Sequence, residues 1–230
     1  MPWTQFGDGS AQLIGPTTVP SAGGGVYIFS PTARVFDATG NSAMARNSQT
    51  CFVRGFKERI SMRMSDGAGW RWRRIVFACK GLPYTTTGRI NLDTSAGYAR
   101  VMTSIRGSTF LPNITEVLFK GRVDIDWQNF FTAKVDTQRV TVISDKTRTI
   151  GNGNTSPRYI KHSEWYPINK NIVYGDDEAG GAMTNNIYST TAKPGIGDIF
   201  IMDFFDCADG TANAHSLVVD PECTYYWHEK

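Results

Sequence analysis

Between Phe52 and Met64 the chain alternates: Phe52, Phe56, Ile60, Met62 and Met64 are apolar, and Lys57, Arg59 and Arg63 stand at positions between them. A period of two predicts a strand with one face in a core and the other in water. After the link from Ser65 to Gly69, residues Trp70 to Lys80 predict a second strand, with Trp70 and Trp72 on the apolar even face. Were that link a simple hairpin turn, Arg63 would stand opposite Arg71, a like-charge pair that destabilises a ladder unless an anion lies between them.

Further along, Val26 to Phe29 is a short apolar run of β-formers stopped by Ser30 and Pro31, which suits a buried strand. Tyr98 to Ile105 fits strand or helix, Ile114 to Val123 is a mixed apolar run, and Asp126 to Lys134 suits a helical turn with its aromatics on one side. Arg139 to Ile150 alternates as a long strand, and the Asn152-Gly153 pair predicts a tight hairpin into Arg158 to Trp165. Asn186 to Ser189, Ile199 to Phe205 and Thr224 to His228 complete roughly eight to ten strand-like segments. No clear amphipathic helix stands between them to cover a parallel sheet. The expected fold is all-β: an eight-stranded antiparallel jelly-roll sandwich with long loops, preferred over a compact immunoglobulin-like sandwich. Residues 1–24, rich in Gly and Pro, read as an extended arm or loop, and residues 25–230 as a single domain. The stretches from Thr32 to Thr50 and from Tyr84 to Gly97 read as long loops at subunit contacts or on the outer surface.

Charge changes this picture. Cys51 to Lys80 holds eight basic and two acidic residues, a net +6, whereas the whole 230-residue chain is only +3. Residues 151–230 hold five basic and eleven acidic residues, a net −6. Concentrated positive charge suits a polyanion held on one face, and basic and acidic regions on one chain suit association between copies. The candidate nucleic-acid-binding or inter-subunit residues are Arg54, Lys57, Arg59, Arg63, Arg71, Arg73 and Arg74, joined by Lys146 and Arg148. Trp70 and Trp72 offer planes for unpaired bases. Their shared even face assigns them to the core and leaves the arginines for phosphates.

No catalytic residues are expected. Walker-type phosphate loops, GxSxG elbows, HExxH helices and dinucleotide fingerprints are absent from the sequence. His162 near Glu164 is a weak acid/base candidate, because side chains two apart on a strand share a face in ordinary sheets. Neither metal nor cofactor is expected. Cys207, His215, Cys223 and His228 match no zinc spacing, and Asp176, Asp177 and Glu178 read as a solvated acidic turn rather than a calcium loop. The four cysteines form no CxxC pair and read as reduced and mostly buried. No apolar run is long enough to cross a bilayer, and the first residues lack the basic and apolar regions of a signal peptide.

Motifs spread along the chain resemble one family. CFVRGFKERI at Cys51, WRWRRIVFACKGLP at Trp70, VLFKG at Val117, DWQNFF at Asp126, VISDKTRTI at Val142, WYPINKNIVYGDDEAGG at Trp165 and the terminal YYWHEK carry the likeness. They resemble capsid proteins of small circular single-stranded DNA viruses, nearest the genomoviruses and more distantly the geminiviruses. The resemblance implies a jelly roll that assembles with copies of itself into an icosahedral T=1 shell around circular single-stranded DNA. It also implies location in the virion and, during assembly, the host nucleus, with no catalysis and no membrane. Consecutive strands in such a fold lie in opposite sheets, which argues against the Arg63–Arg71 hairpin. Family members begin with an Arg/Lys-rich DNA-binding arm, and this chain has only Arg34 and Arg46 before residue 51, so the resemblance places that arm ahead of Met1. A carbohydrate-binding β-sandwich using exposed Trp and Tyr is the alternative expectation, and a β-sandwich hydrolase using His162 is a third.

Overall fold

A computed structural model describes residues 4–6, 17–37, 45–83, 91–94, 97–151, 154–176, 178–179, 182–183, 186–210 and 215–229. Among them, one sheet contains β1 (Thr4–Phe6), β3 (Gly25–Phe29), β5 (Trp70–Cys79), β6 (Asn91–Thr94), β7 (Gly97–Ser104), β8 (Thr141–Ile150) and β12 (Asp198–Cys207). Its order is β1-β7-β3-β12-β5-β8, with β6 added on β7. The second sheet has the order β2-β13-β4-β9, from Thr17–Pro20, Ser216–Glu229, Thr50–Met64 and Arg158–Val173. A two-residue pair, β10 (Glu178–Ala179) with β11 (Ala182–Met183), stands apart, and one helix, α1, spans Phe110–Leu118. Except for β1 on β7, neighbouring strands are antiparallel. The architecture is an all-β jelly-roll sandwich, with short extra strands beyond the expected eight.

The chain crosses between sheets where a hairpin was first considered. β4 pairs with β13 and β9, whereas β5 pairs with β12 and β8, so Arg63 and Arg71 are not neighbours. The same correction applies after Ile150. β8 belongs to the first sheet and β9 to the second, so the segment between them is a crossover and not a hairpin; Asn152 and Gly153 lie outside the described residues. Tyr98 to Ile105 resolves as strand β7, and the first part of the Ile114 run is helical. Thr17–Pro20 already pairs with β13, so the chain enters the sandwich before residue 25.

The burial pattern separates the two sheets. β3 is buried throughout and β12 nearly so, because the first sheet is covered on both faces. One face meets the second sheet through Trp72, Val76, Ile201 and Phe205. The other carries Ile75, Phe77, Phe200 and Phe204 against Ile114, Leu118, Phe119 and Trp127. Phe119 anchors that cover, with its ring 5.0 Å from Trp127 and 5.9 Å from Phe204. β13 instead alternates buried and exposed, since the outer face of its sheet is open.

On β4 the even positions from Phe56 to Met64 are buried, as the alternation predicts, but Phe52 is not part of that face. The register slips at Arg54 against both neighbours, so Cys51 and Val53 turn inward and Phe52 stacks outside on His228, with ring centroids 6.5 Å apart. A bulge reverses the phase of the residues before it. Another correction concerns Asp176, which is buried rather than solvated: Arg46 Nη1 and Nη2 donate to its carboxylate at 2.5 and 2.7 Å, and the guanidinium lies 3.9 Å over the Tyr174 ring. Asp177 lies outside the described residues. All four cysteines are buried as thiols. Among the described residues no helix is long and apolar enough to cross a membrane.

Candidate nucleic-acid interface

The nine predicted cations fall into three groups. Arg71, Arg73 and Arg74 lie on β5 and are each answered by a carboxylate. Arg74 is buried between the sheets, where its Nε and Nη2 donate to Asp203 at 2.6 and 2.7 Å and Nη1 donates to Glu58. Arg73 donates to both oxygens of Asp145 at 2.9 and 2.7 Å, and its Nη1 reaches the carbonyls of Phe130 and Ala133 at 2.5 and 2.8 Å. It clamps the outer cover onto the sheet. Burial and satisfied donors therefore remove Arg73 and Arg74 from the list of phosphate contacts. Arg71 is half-exposed, but it pairs with Asp206 at 2.5 Å and lies 4.5 Å over the Phe131 ring.

Lys146 and Arg148 form the second group, on the edge strand β8. Both hold Glu164 of β9, Lys146 at 2.8 Å, and so tie the two sheets together. Burial opposes ionisation of Glu164, but the Lys146 hydrogen bond and the Arg148 charge hold its pKa below the usual range. The adjacent His162 lies with its ring 5.2 Å from Trp72, and burial, reinforced by Arg148, lowers its pKa. No hydrogen bond joins His162 to Glu164 among the described residues, so the acid/base pairing is not formed. Beside them Glu58 is pushed up to about 7 by burial, against the pull of Arg74, and its Oε1 meets no donor.

Arg54, Lys57, Arg59 and Arg63 form the third group, on β4. Register and burial put Lys57, Arg59 and Arg63 on the outer face of the second sheet. Arg54, at the bulge, bonds Asn169 Oδ1. Among the described residues none of Lys57, Arg59 and Arg63 forms an ion pair. Asp220 and Glu222 on β13 stand opposite Ser61 and Arg59, so the face is cationic along β4 and acidic along one border. A cavity of about 490 Å³ opens there between Arg59, Lys161, Ser163, Asp220 and Glu222.

Sequence reasoning missed the other half of this face. On β9 Tyr159, Lys161, Ser163 and Trp165 are exposed, opposite Arg63, Ser61, Arg59 and Lys57 in turn. Their period of two was the available signal. The sequence also held a signal for the neutralised group: Asp203 and Asp206 have the same spacing as Arg71 and Arg74, and antiparallel pairing sets Asp203 against Arg74 and Asp206 against Arg71. Trp70 and Trp72 lie in the core, as their parity predicts, and Trp72 donates to Asp203 at 2.7 Å.

His215, which could be grouped on paper with Cys207 and Cys223, instead places Nδ1 2.7 Å from Asp66 and Nε2 3.1 Å from Asp209. Those hydrogen bonds raise its pKa. Among the described residues no metal-binding group of three His, Cys, Asp or Glu side chains assembles. What the β4–β9 face can do chemically is attract phosphates and offer aromatic planes. No protein-family model matches this chain, and no curated protein matches it either.

Proposed function

We propose that this chain is a viral capsid subunit, which assembles with copies of itself into a closed shell and holds single-stranded DNA through phosphate charge. The observation that carries this reading is the row of Lys57, Arg59 and Arg63 on the open face of a jelly-roll sandwich, joined by Lys161 and without ion-pair partners among the described residues. Such a row neutralises phosphates without reading base sequence, so binding falls steeply with added salt. The motif resemblance given above points to the same class of protein. Arg71, Arg73 and Arg74 have no leading part in this reading, since each is already paired.

Electron microscopy and light scattering of the purified chain test the proposal. Closed shells containing DNA are expected, and a small species under all assembly conditions counts against it. A sugar-binding module is the second reading, favoured by the exposed Trp165 and Tyr226 rings. It predicts the small species together with binding to soluble oligosaccharides.

A further inference from the structure

The β4–β9 face carries more than charge. Trp165 is 45% exposed on the open face of the second sheet. Its position depends on Gly55: a Cβ added there would lie 2.6 Å from Cη2 and Cζ2 of the indole. The six-membered part of the indole therefore sits directly above the glycine backbone. Tyr226, 43% exposed, meets it edge-on, with ring centroids 5.6 Å apart and planes at 71°. Together the two rings make an open corner. Lys57 is the direct cross-strand neighbour of Trp165, and Arg59 lies one step further along the same face. Lys57, Arg59, Glu222, Thr224 and Tyr226 line a cavity of about 180 Å³ beside the corner.

We infer that Trp165 and Tyr226 form a base-stacking site for one unpaired nucleotide, with Lys57 and Arg59 holding the phosphates that flank it. This inference rests on the proposed DNA-packaging role and deepens it from charge attraction to selection of single strands. A plane next to cations fits every base, because each base has a π-face, and this gives single-strand preference without sequence preference. A duplex hides those faces in its own stack. Outward residues two apart on β4 are about 6.8 Å apart, so Lys57 and Arg59 can follow successive phosphates of an extended strand, and Arg63, four positions further on, the next phosphate but one. Further along β13 from Tyr226, Asp220 and Glu222 repel phosphates and keep the backbone of the strand over β4 and β9. At the far end Tyr159, 66% exposed and opposite Arg63, offers a second plane.

Fluorescence anisotropy tests this on the intact protein with three labelled probes: an oligothymidylate of about a dozen nucleotides, an abasic strand of equal length, and the matching duplex. Wild-type protein is expected to bind oligothymidylate roughly ten-fold more tightly than the abasic strand. Trp165→Leu should erase that preference while leaving the salt slope unchanged, and Trp165→Phe should restore part of it. The abasic comparison needs no variant, so it stands even if Trp165→Leu fails to fold. Equal binding of thymidylate and abasic strands by the wild type, or an unaltered preference in Trp165→Leu, overturns the stacking site and leaves the charge-based packaging role intact. Binding of none of the DNA probes overturns both readings, as does a cello-oligosaccharide that binds at Trp165 in their place.

Discussion

Two halves of one basic segment meet opposite fates. β4 and β5 are close in sequence, and each carries three arginines. On β5 every arginine faces an acid on a neighbouring strand: Arg71 with Asp206, Arg73 with Asp145, Arg74 with Asp203 and, across the sandwich, Glu58. On β4, Lys57, Arg59 and Arg63 look outward and form no ion pair among the described residues, although Glu222 stands across the ladder from Arg59. The cause is topological. β5 lies inside a sheet covered on both faces, where an unpaired charge is too costly to keep. β4 lies in a sheet with an open face, where water solvates the charge and leaves it available to a polyanion. A net charge counted along the chain therefore overstates what a ligand can reach.

The sharpest break in this comparison is expected from stability. Arg74→Met leaves Asp203 and Glu58 buried without their cation and should cost about 3–5 kcal/mol. Arg59→Met, on the open face, should change stability by no more than about 0.5 kcal/mol. Urea unfolding of the two variants checks this, and equal costs would remove the distinction between the strands.

Next in size is a pH effect at Glu58. Burial raises its pKa from 4.5 to about 7, so between those values the folded protein binds a proton that the unfolded chain has released. Stability from this group is thus fully present below pH 4.5 and is lost as pH rises towards 7. Glu58→Gln removes the titration, and its unfolding free energy relative to wild type should be higher at pH 8 than at pH 5, by on the order of 2 kcal/mol. A constant difference across that range would mean that Glu58 does not hold the proton.

Smaller again is the change in salt dependence. Each phosphate contact on a single strand contributes about 0.7 to the slope of log affinity against log salt. Replacing Arg59 and Arg63 together by Gln should lower the slope by about 1.4, whereas Arg71→Gln should leave it nearly unchanged. Binding isotherms at several salt concentrations measure both.

Much of this was legible in the sequence. The period of two in Phe56 to Met64 identified the strand and its outward cations, and parity alone placed Trp70 and Trp72 in the core. What was not legible depends on pairing between distant strands. That Asp203 answers Arg74 is a matter of register, 129 residues apart, and alternation within one strand carries no information about it. The bulge at Arg54, which moves Phe52 to the outer face, follows from the neighbours on β9 and β13 rather than from β4 itself. Asp176 looked solvated because its neighbours in sequence are acidic, and only the return of the chain brings Arg46 onto it. Trp165 lay within a quoted motif, yet its exposure became visible only once Gly55 was known to lie beneath it.

The central claim is that the open face of β4 holds the DNA and the β5 arginines hold the fold. Its most direct test is the nucleic-acid content of purified particles assembled from Lys57→Glu, Arg59→Glu, Arg63→Glu triple-variant chains, read from ultraviolet absorbance and from extracted DNA. Shells that form but carry much less DNA than wild type are the predicted result, and shells with wild-type DNA content would contradict it.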